Sequence, residues 1–294
     1  MKCDLCPRKC LVDRKKGEKG ICGQTENLKV ARAALHFWEE PCISGDAGSG
    51  AVFFSGCPLH CVFCQNENIA NGTVGKEISL ERLVDIFLEL QEKRANNINL
   101  VTPGHFVPQI VKALDQARKE GLTLPVVYNT SSYETVDTIK MLEGYVDIYL
   151  PDFKYMSPVL SKKYSHAPDY AEVAKAAIAE MVRQTGKAVF VNGDEDNLIL
   201  SGTIVRHLTL PGCMADSMQI LKYLHDTYGD MIYISIMNQF TPLSNLEKYP
   251  ELNRRITDEE YETLVDYAID IGIENGFIQE GDTAEAVSYT HLTL

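Results

Sequence analysis

Three cysteines follow one another at short, unequal spacing just after an apolar run at residues 51–54. They are Cys57, Cys61 and Cys64. Thiolates at short spacing select iron–sulfur clusters, zinc or copper(I). Because an ordinary cluster is closed by four cysteines, a four-iron cluster on these three would keep one iron open for a substrate or cofactor. The alternative is a structural zinc site with His60 as the fourth ligand, although zinc usually takes its ligands as two separated pairs.

A second group of cysteines lies at the N-terminus. It consists of Cys3, Cys6, Cys10 and Cys22. Glycines and basic residues fill the intervals, and a segment this polar cannot build its own core, so a bound metal would supply its order. Four thiolates suit zinc or a second, closed iron–sulfur cluster. The alternative is four unliganded thiols on a basic arm.

Composition restricts the class of protein. The chain has 294 residues, 45% hydrophobic and 23% charged, with a net charge of −13. This charge argues against nucleic acid or an anionic membrane surface as a partner. No apolar run has transmembrane length, and no signal-peptide core follows Met1. Nine cysteines without an export signal indicate metal ligands and free thiols in a reducing, cytoplasmic protein.

Apolar runs alternate with helical patterns from residue 51 onward. Strands are predicted at 51–56, 97–103, 125–131, 146–152, 203–210 and 231–237, and a short one at 276–280. Helices are predicted at 79–94, 107–120, 134–143, 170–185, 214–228 and 257–275, with Ser79 as an N-cap and a hairpin within 188–202. This alternation predicts a parallel α/β fold, either an open barrel or a doubly wound sheet.

Polar residues follow the strands where a barrel-like fold gathers its chemistry, at the carboxyl ends. They are Thr102, His105, Asn129, Asp152, Lys154 and Arg206. Five of them have a structural alternative. Asp152 and Lys154 could form an ion pair at the rim, Arg206 could bridge carboxylates, His105 could be a structural histidine, and Asn129 could cap a helix. Trp38 and Cys42 are expected to be packing residues, and the role of His36 stays open.

The cysteine triplet resembles the motif that defines the radical S-adenosylmethionine (SAM) superfamily. The resemblance implies a partial (β/α)6 barrel, a [4Fe–4S] cluster on Cys57, Cys61 and Cys64, and SAM bound to its open iron. It also implies reductive cleavage of SAM to a 5′-deoxyadenosyl radical.

Further stretches resemble the glycyl-radical-enzyme activases, such as the pyruvate formate-lyase activating enzyme. They are Asp152-Phe153-Lys154, residues 205–212 and Asn129-Thr130-Ser131. The resemblance implies cofactor binding by Asn129, Asp152, Lys154 and Arg206, a glycyl radical enzyme as protein substrate, and an electron donor such as flavodoxin or ferredoxin. Thr102 and His105 are expected to bind the cofactor because of their place after strand 2. The chain departs from the activases after strand 2, where Thr102-Pro103-Gly104-His105 replaces Gly-Gly-Glu. This departure keeps open a small molecule or peptide as substrate. A non-catalytic iron–sulfur or zinc protein is a third reading.

Three segments are expected. Residues 1–48 form the cysteine-rich segment and residues 49–285 the barrel. Residues 286–294 continue no pattern and are interpreted as a non-native tail.

Overall fold

The computed structural model describes residues 2–193, 197–243 and 246–279, so the expected tail at 286–294 lies outside the described residues. These residues form a ten-stranded sheet. Its strands are β1 (Lys29–His36), β2 (Ser49–Phe54), β3 (Lys76–Glu77), β4 (Ile98–Val101), β5 (Val126–Thr130), β6 (Ile148–Pro151), β7 (Val189–Phe190), β8 (Ile199–Leu208), β9 (Tyr233–Met237) and β10 (Gly276–Ile278).

Helices connect most of the parallel strands. They are α1 (Pro41–Ser44), α2 (Glu67–Ala70), α3 (Leu80–Glu92), α4 (Val107–Lys119), α5 (Val136–Lys140), α6 (Pro158–Ser165), α7 (Tyr170–Thr185), α8 (Met214–Tyr228) and α9 (Asp258–Asp270). No helix in the described ranges is long and apolar enough to cross a membrane.

Seven strands run parallel in chain order, β2-β4-β5-β6-β8-β9-β10, as right-handed crossovers dictate. β1 pairs antiparallel with β2, β3 pairs with β1, and β7 pairs with β8. In the described part of the chain β10 is one edge of the sheet and β3 the other. The sheet is therefore an unclosed, partial barrel, and the predicted fold class is confirmed.

The parallel strands are buried on both faces, which explains their continuous apolar sequences. Val52, Leu100, Tyr128 and Tyr149 stand side by side in register and pack outward against the helices. Alternate residues point the other way, and Val127 packs with Ile43 of α1 inside the sheet. Since the period of a strand is two, the polar Asn129 also points inward.

The six long predicted strands, the short one at β10 and the six predicted helices are all present, with ends shifted by a few residues. The Ser79 hydroxyl accepts a hydrogen bond from the Arg82 N–H, as an N-cap does. Thr257 and Glu260 form a reciprocal capping box that begins α9. The hairpin expected within 188–202 is the antiparallel pair of β7 and β8.

The structure adds β1, β3, α1, α2 and α6 to the predicted elements. β1 lies within the segment 1–48 and hydrogen-bonds β2, with Val30 opposite Phe54 and His36 opposite Ser49. The C-terminal part of this segment is therefore continuous with the sheet. α1 follows β1 and lies against the inner side of the sheet, where the Asn97 side chain donates to the Ile43 carbonyl at 2.8 Å.

Candidate functional site

A cavity of about 370 Å³ opens on the inner side of the sheet, where the carboxyl ends of the parallel strands meet. Eight of the residues predicted from the sequence line it together: Cys57, Cys61, Cys64, Thr102, Asn129, Asp152, Lys154 and Arg206. Convergence of polar groups in one concave site is typical of ligand binding.

His105 is not among the residues that line the cavity. The chain after β4 turns sharply at Thr102, with φ of 54°, and continues into a 3₁₀ turn at Gly104–Phe106. This turn buries the His105 ring, whose Nε2 lies 2.7 Å from the Ser55 carbonyl oxygen. Burial lowers the pKa of His105 to about 3, so Nε2 carries the proton and donates to Ser55. His105 thus contacts the chain just before Cys57, not the cavity.

The loop at residues 55–64, here called the cysteine loop, presents its three thiols to the cavity. Burial, and after it the neighbouring Cys61, raises the pKa of Cys57 to about 11 and that of Cys64 to about 12. Lys154 opposes this shift weakly in each case. Clustered thiols with raised pKa values require added positive charge to become thiolates, and a bound metal supplies it. Three thiols that line one cavity supply the ligand types and the ligand number of an iron–sulfur cluster that uses three protein ligands.

His60 does not point into this group as a zinc ligand would. Its Nε2 lies 2.8 Å from the Ile21 carbonyl oxygen, and its Nδ1 lies 3.2 Å from Asn71 Oδ1. Both ring nitrogens of His60 are thus engaged outside the cavity, so the zinc alternative lacks its fourth ligand. Across the described residues, no group of three or more His, Cys, Asp or Glu side chains is arranged to hold a metal ion, and this applies to both cysteine groups as well.

Gly56 lets the cysteine loop approach the N-terminal segment. Its φ is +90°, and a Cβ built there would lie 2.4 Å from the Cys22 carbonyl oxygen. Gly121 has a similar φ of +107°, yet its Cβ would have no described heavy atom within 4 Å. The two glycines therefore share a left-handed backbone conformation, but only a Cβ at position 56 would collide with the Cys22 carbonyl oxygen.

We expect Gly56→Ala to destabilise the protein more than Gly121→Ala. The control should cost about 1–2 kcal/mol, the strain of a left-handed alanine. Gly56→Ala adds a collision with backbone, which cannot rotate away as a side chain can. Urea unfolding of both variants measures the difference. Equal losses would show that the Cys22 contact does not restrain the loop.

Arg206 is the centre of a network of ionic and amide groups on the cavity wall. Its Nε donates to Asp152 Oδ1 at 3.0 Å, its Nη1 to Glu39 Oε2 at 2.9 Å and its Nη2 to Asn129 Oδ1 at 2.7 Å. Lys154 Nζ donates to Asp152 Oδ2 at 2.5 Å. Arg206 therefore bridges two carboxylates, the alternative expected of it, while also lining the cavity.

The charges of this network are balanced although its members are buried. Burial opposes ionisation of Asp152, but Lys154 and Arg206 outweigh burial and lower its pKa. Burial likewise disfavours the charged form of Arg206, and Asp152 and Glu39 raise its pKa in spite of it. Both groups are thus held charged, which prepares a site for a ligand that carries charges of both signs.

Several residues of the cavity were not predicted from the sequence. Glu39 reaches Arg206 from the stretch between β1 and α1, and its Oε1 also accepts from Asn99 Nδ2 at 3.0 Å. Glu40 follows it, and its burial raises its pKa despite Arg206. Trp38 lines the cavity with 68% of its surface exposed, so the prediction that it is a packing residue is wrong. No local pattern marks these residues, because only the fold brings them to the inner side of the sheet from the end of β1, where His36 lies opposite Ser49.

His36 also lines the cavity, and burial together with Arg32 and Arg206 lowers its pKa to about 4. Cys42 is buried, as expected of a packing residue.

The N-terminal cysteines lie in a tight, turn-rich segment beside the cysteine loop. Burial raises the pKa of Cys6 to about 12, an effect that the Arg8 N–H opposes and that Cys22 and Cys10 increase. The Ile21 N–H donates to Cys10 Sγ at 3.3 Å. These thiols are therefore near enough to influence one another electrostatically.

Comparison with known proteins agrees with this arrangement. The family model of the Radical SAM superfamily matches residues 51–197, half of the chain. An uncharacterized protein of Methanocaldococcus jannaschii is 27% identical over 275 residues, which cover 90% of this chain and 74% of that protein.

Two solved structures share the fold. Streptococcus suis SuiB bound to precursor peptide SuiA has a TM-score of 0.52 and 12% identity, over 77% of this chain and 47% of that one. HydG, a maturase of the [FeFe]-hydrogenase, has a TM-score of 0.51 and 14% identity, over 76% of this chain and 49% of that one. This chain thus spans about half the length of both structures. On the family match, the chain belongs to the Radical SAM superfamily, whose enzymes use a [4Fe–4S] cluster and SAM.

Proposed function

We propose that this protein is a radical SAM enzyme that activates a glycyl radical enzyme. When bound, the reduced cluster would pass one electron to SAM, whose C–S bond breaks to give methionine and a 5′-deoxyadenosyl radical. The hydrogen atom that completes 5′-deoxyadenosine would come from a glycine Cα of the partner, which keeps the unpaired electron. Nine unpaired cysteines support a reducing, cytoplasmic setting.

The residues of the cavity have distinct proposed roles. Cys57, Cys61 and Cys64 would hold the cluster, because all three line the cavity. Asp152 and Arg206, which are held charged, would orient the amino acid part of SAM by charge-assisted hydrogen bonds. Thr102, Asn129 and Lys154 line the same cavity and would position the rest of the cofactor.

The observation that carries the proposal is the side of the cavity that the described residues leave open. One wall there comes from the end of β1, with Trp38, and the other from the edge strand β10, with Phe277 and Ile278. β1 and β10 are not paired with each other among the described strands. A side opening with exposed apolar groups, Trp38 and Ile278, suits an extended peptide loop better than a small polar metabolite. The activase-like stretches at β6 and β8 support the same substrate.

The test is anaerobic reconstitution with iron and sulfide, followed by SAM, a reductant and candidate glycyl radical enzymes. Reduced flavodoxin or ferredoxin is the physiological donor we expect. Electron paramagnetic resonance should then show a glycine-centred doublet on the partner. If 5′-deoxyadenosine forms without a protein radical, but with turnover of a metabolite or modification of a peptide, the activase proposal is wrong and the alternative substrate class replaces it.

The N-terminal cysteines remain a predicted second metal site, for zinc or a second cluster. Cys6 and Cys22 are buried, and Cys3 and Cys10 are partly exposed. Cys22 and Cys10 both add to the raised pKa of Cys6.

A further inference from the structure

Arg8 lies between two of the N-terminal cysteines and joins two loops that are far apart in sequence. Its Nε donates to the Pro58 carbonyl at 2.9 Å, in the cysteine loop. Its Nη1 donates to the His166 carbonyl at 2.6 Å and its Nη2 to the Ser165 carbonyl at 2.9 Å, at the end of α6. The guanidinium also lies 5.1 Å from the centre of the Tyr133 ring.

The second of these loops contacts a predicted cluster ligand. Ser165 Oγ donates to Cys61 Sγ at 3.1 Å. The Ser165 hydroxyl has only one hydrogen, so the Tyr155 hydroxyl, 2.8 Å away, donates to Ser165. The Val62 N–H also donates to the Tyr164 carbonyl at 2.9 Å, directly beside this contact.

The backbone around Arg8 keeps the guanidinium in place. Lys9 and Leu11 have φ of 42° and 55°, which turn the chain twice within three residues. The Leu11 N–H bonds the Cys3 carbonyl, and the Cys3 N–H bonds the Val12 carbonyl, at 3.0 and 2.9 Å. The backbone that carries Arg8 is therefore held in a hydrogen-bonded turn. This turn fixes the direction from which the Arg8 side chain reaches the Pro58 carbonyl.

We propose that Arg8 is a positioning residue for the cluster. By holding the cysteine loop and the end of α6 together, it keeps the Ser165 hydroxyl on the Cys61 sulfur. Hydrogen bonds to cluster sulfurs help to set the reduction potential, because they stabilise the more negative, reduced state. This inference rests on the proposed function, in which Cys61 is a cluster ligand.

Arginine suits this task better than lysine does. Its planar fork donates from several N–H groups at fixed angles, so one side chain reaches acceptors in both loops. The lysine ammonium is a compact charge on a flexible side chain, so it would donate hydrogen bonds to the cysteine loop or to the end of α6, but not to both at once. Arg8→Lys is therefore expected to behave like Arg8→Ala in the measurement below.

The experiment is a redox titration of the reconstituted protein, monitored by electron paramagnetic resonance, which gives the midpoint potential of the cluster. The variants are Arg8→Ala, Arg8→Lys, Ser165→Ala and the double variant Arg8→Ala/Ser165→Ala. The control is Arg118→Ala, because Arg118 also donates to two carbonyls, of Gly144 and Tyr145, and lies 5.5 Å from the Tyr145 ring. It does not line the cavity.

We expect both Arg8 variants and Ser165→Ala to shift the midpoint potential to more negative values, and Arg118→Ala to leave it unchanged. The double variant should match Ser165→Ala, because Arg8 acts through Ser165. Additive shifts, or an unchanged potential in the Arg8 variants, would overturn the proposal. If Arg8→Ala does not fold, Arg8→Lys decides by the same criterion. A wild-type protein that assembles no cluster would refute the proposed function itself.

Discussion

Alanine at any one of Cys57, Cys61 and Cys64 is expected to abolish both the visible absorbance of the cluster and the production of 5′-deoxyadenosine. The three thiols line the cavity, and a cluster with only three protein ligands has none to spare. Absorbance after anaerobic reconstitution and chromatographic analysis of 5′-deoxyadenosine provide the two measurements.

Cys213→Ala is the matched control for these substitutions. Cys213 is also a free thiol, and burial raises its pKa to about 11, yet it does not line the cavity. It should therefore retain wild-type absorbance and activity. A Cys61→Ala variant with a full cluster and wild-type SAM cleavage would disprove the assignment of the three ligands.

Removal of Arg206 is expected to have the second large effect. Arg206→Met leaves Asp152 and Glu39 without the guanidinium that bridges them, and its side chain is only 14% exposed. Breaking a buried ion pair on one side costs about 3–5 kcal/mol. We also expect SAM cleavage to fall about 100-fold, because a displaced cofactor loses its reactive geometry. Urea unfolding and single-turnover assays measure the two losses.

Two further variants separate charge from geometry. Arg206→Lys keeps the charge but not the three-way contact, so it should recover part of the stability and little of the activity. Arg82→Met removes an exposed ion pair with Glu89 and should cost less than about 1 kcal/mol. An Arg206→Met protein as stable as Arg82→Met would show that the network contributes nothing to folding.

The same substitution should alter the dependence of stability on pH. Lys154 and Arg206 hold the folded-state pKa of Asp152 below its ordinary value, so its contribution to stability is complete above that ordinary value and is lost as the pH falls through the folded-state pKa. Without Arg206 the pKa of Asp152 rises, and the acid-unfolding midpoint should move to higher pH. Circular dichroism during acid titration detects this shift.

The parallel sheet could be predicted from the sequence because the residues of each strand form a recognisable local pattern. Val126–Thr130 and Tyr233–Met237 are short apolar runs with turn residues around them, as strands buried on both faces must be. The strand ends then located the polar residues of the site, since parallel strands share one carboxyl edge. Asp152 and Arg206 were found in this way, and the resemblance of residues 152–154 and 205–212 to the activases supported both.

β1 could not be predicted in the same way. Lys29–His36 mixes alanines with Lys29 and Arg32, and its burial pattern does not alternate regularly. β1 forms by pairing with β2, and the local sequence of β1 does not specify this pairing. Because β1 was missed, Glu39 was missed as a partner of Arg206. α6, in contrast, carried a local signal, the N-cap Ser157 followed by Pro158 at the first helical position.

His105 illustrates a limit of strand-end reasoning. It follows β4 as closely as other site residues follow their strands, but backbone dihedral angles decide where its ring points. The left-handed Thr102 and the 3₁₀ turn direct it to Ser55. Only the three-dimensional structure reveals such a choice.

The central claim is a cluster that has one iron without a protein ligand, beside a site for SAM. Mössbauer spectroscopy of the protein reconstituted with ⁵⁷Fe, before and after SAM is added, tests it most directly. We predict that SAM changes the spectrum of one iron in four and that Arg206→Met weakens this response. Four irons that all remain unchanged at saturating SAM would contradict the account.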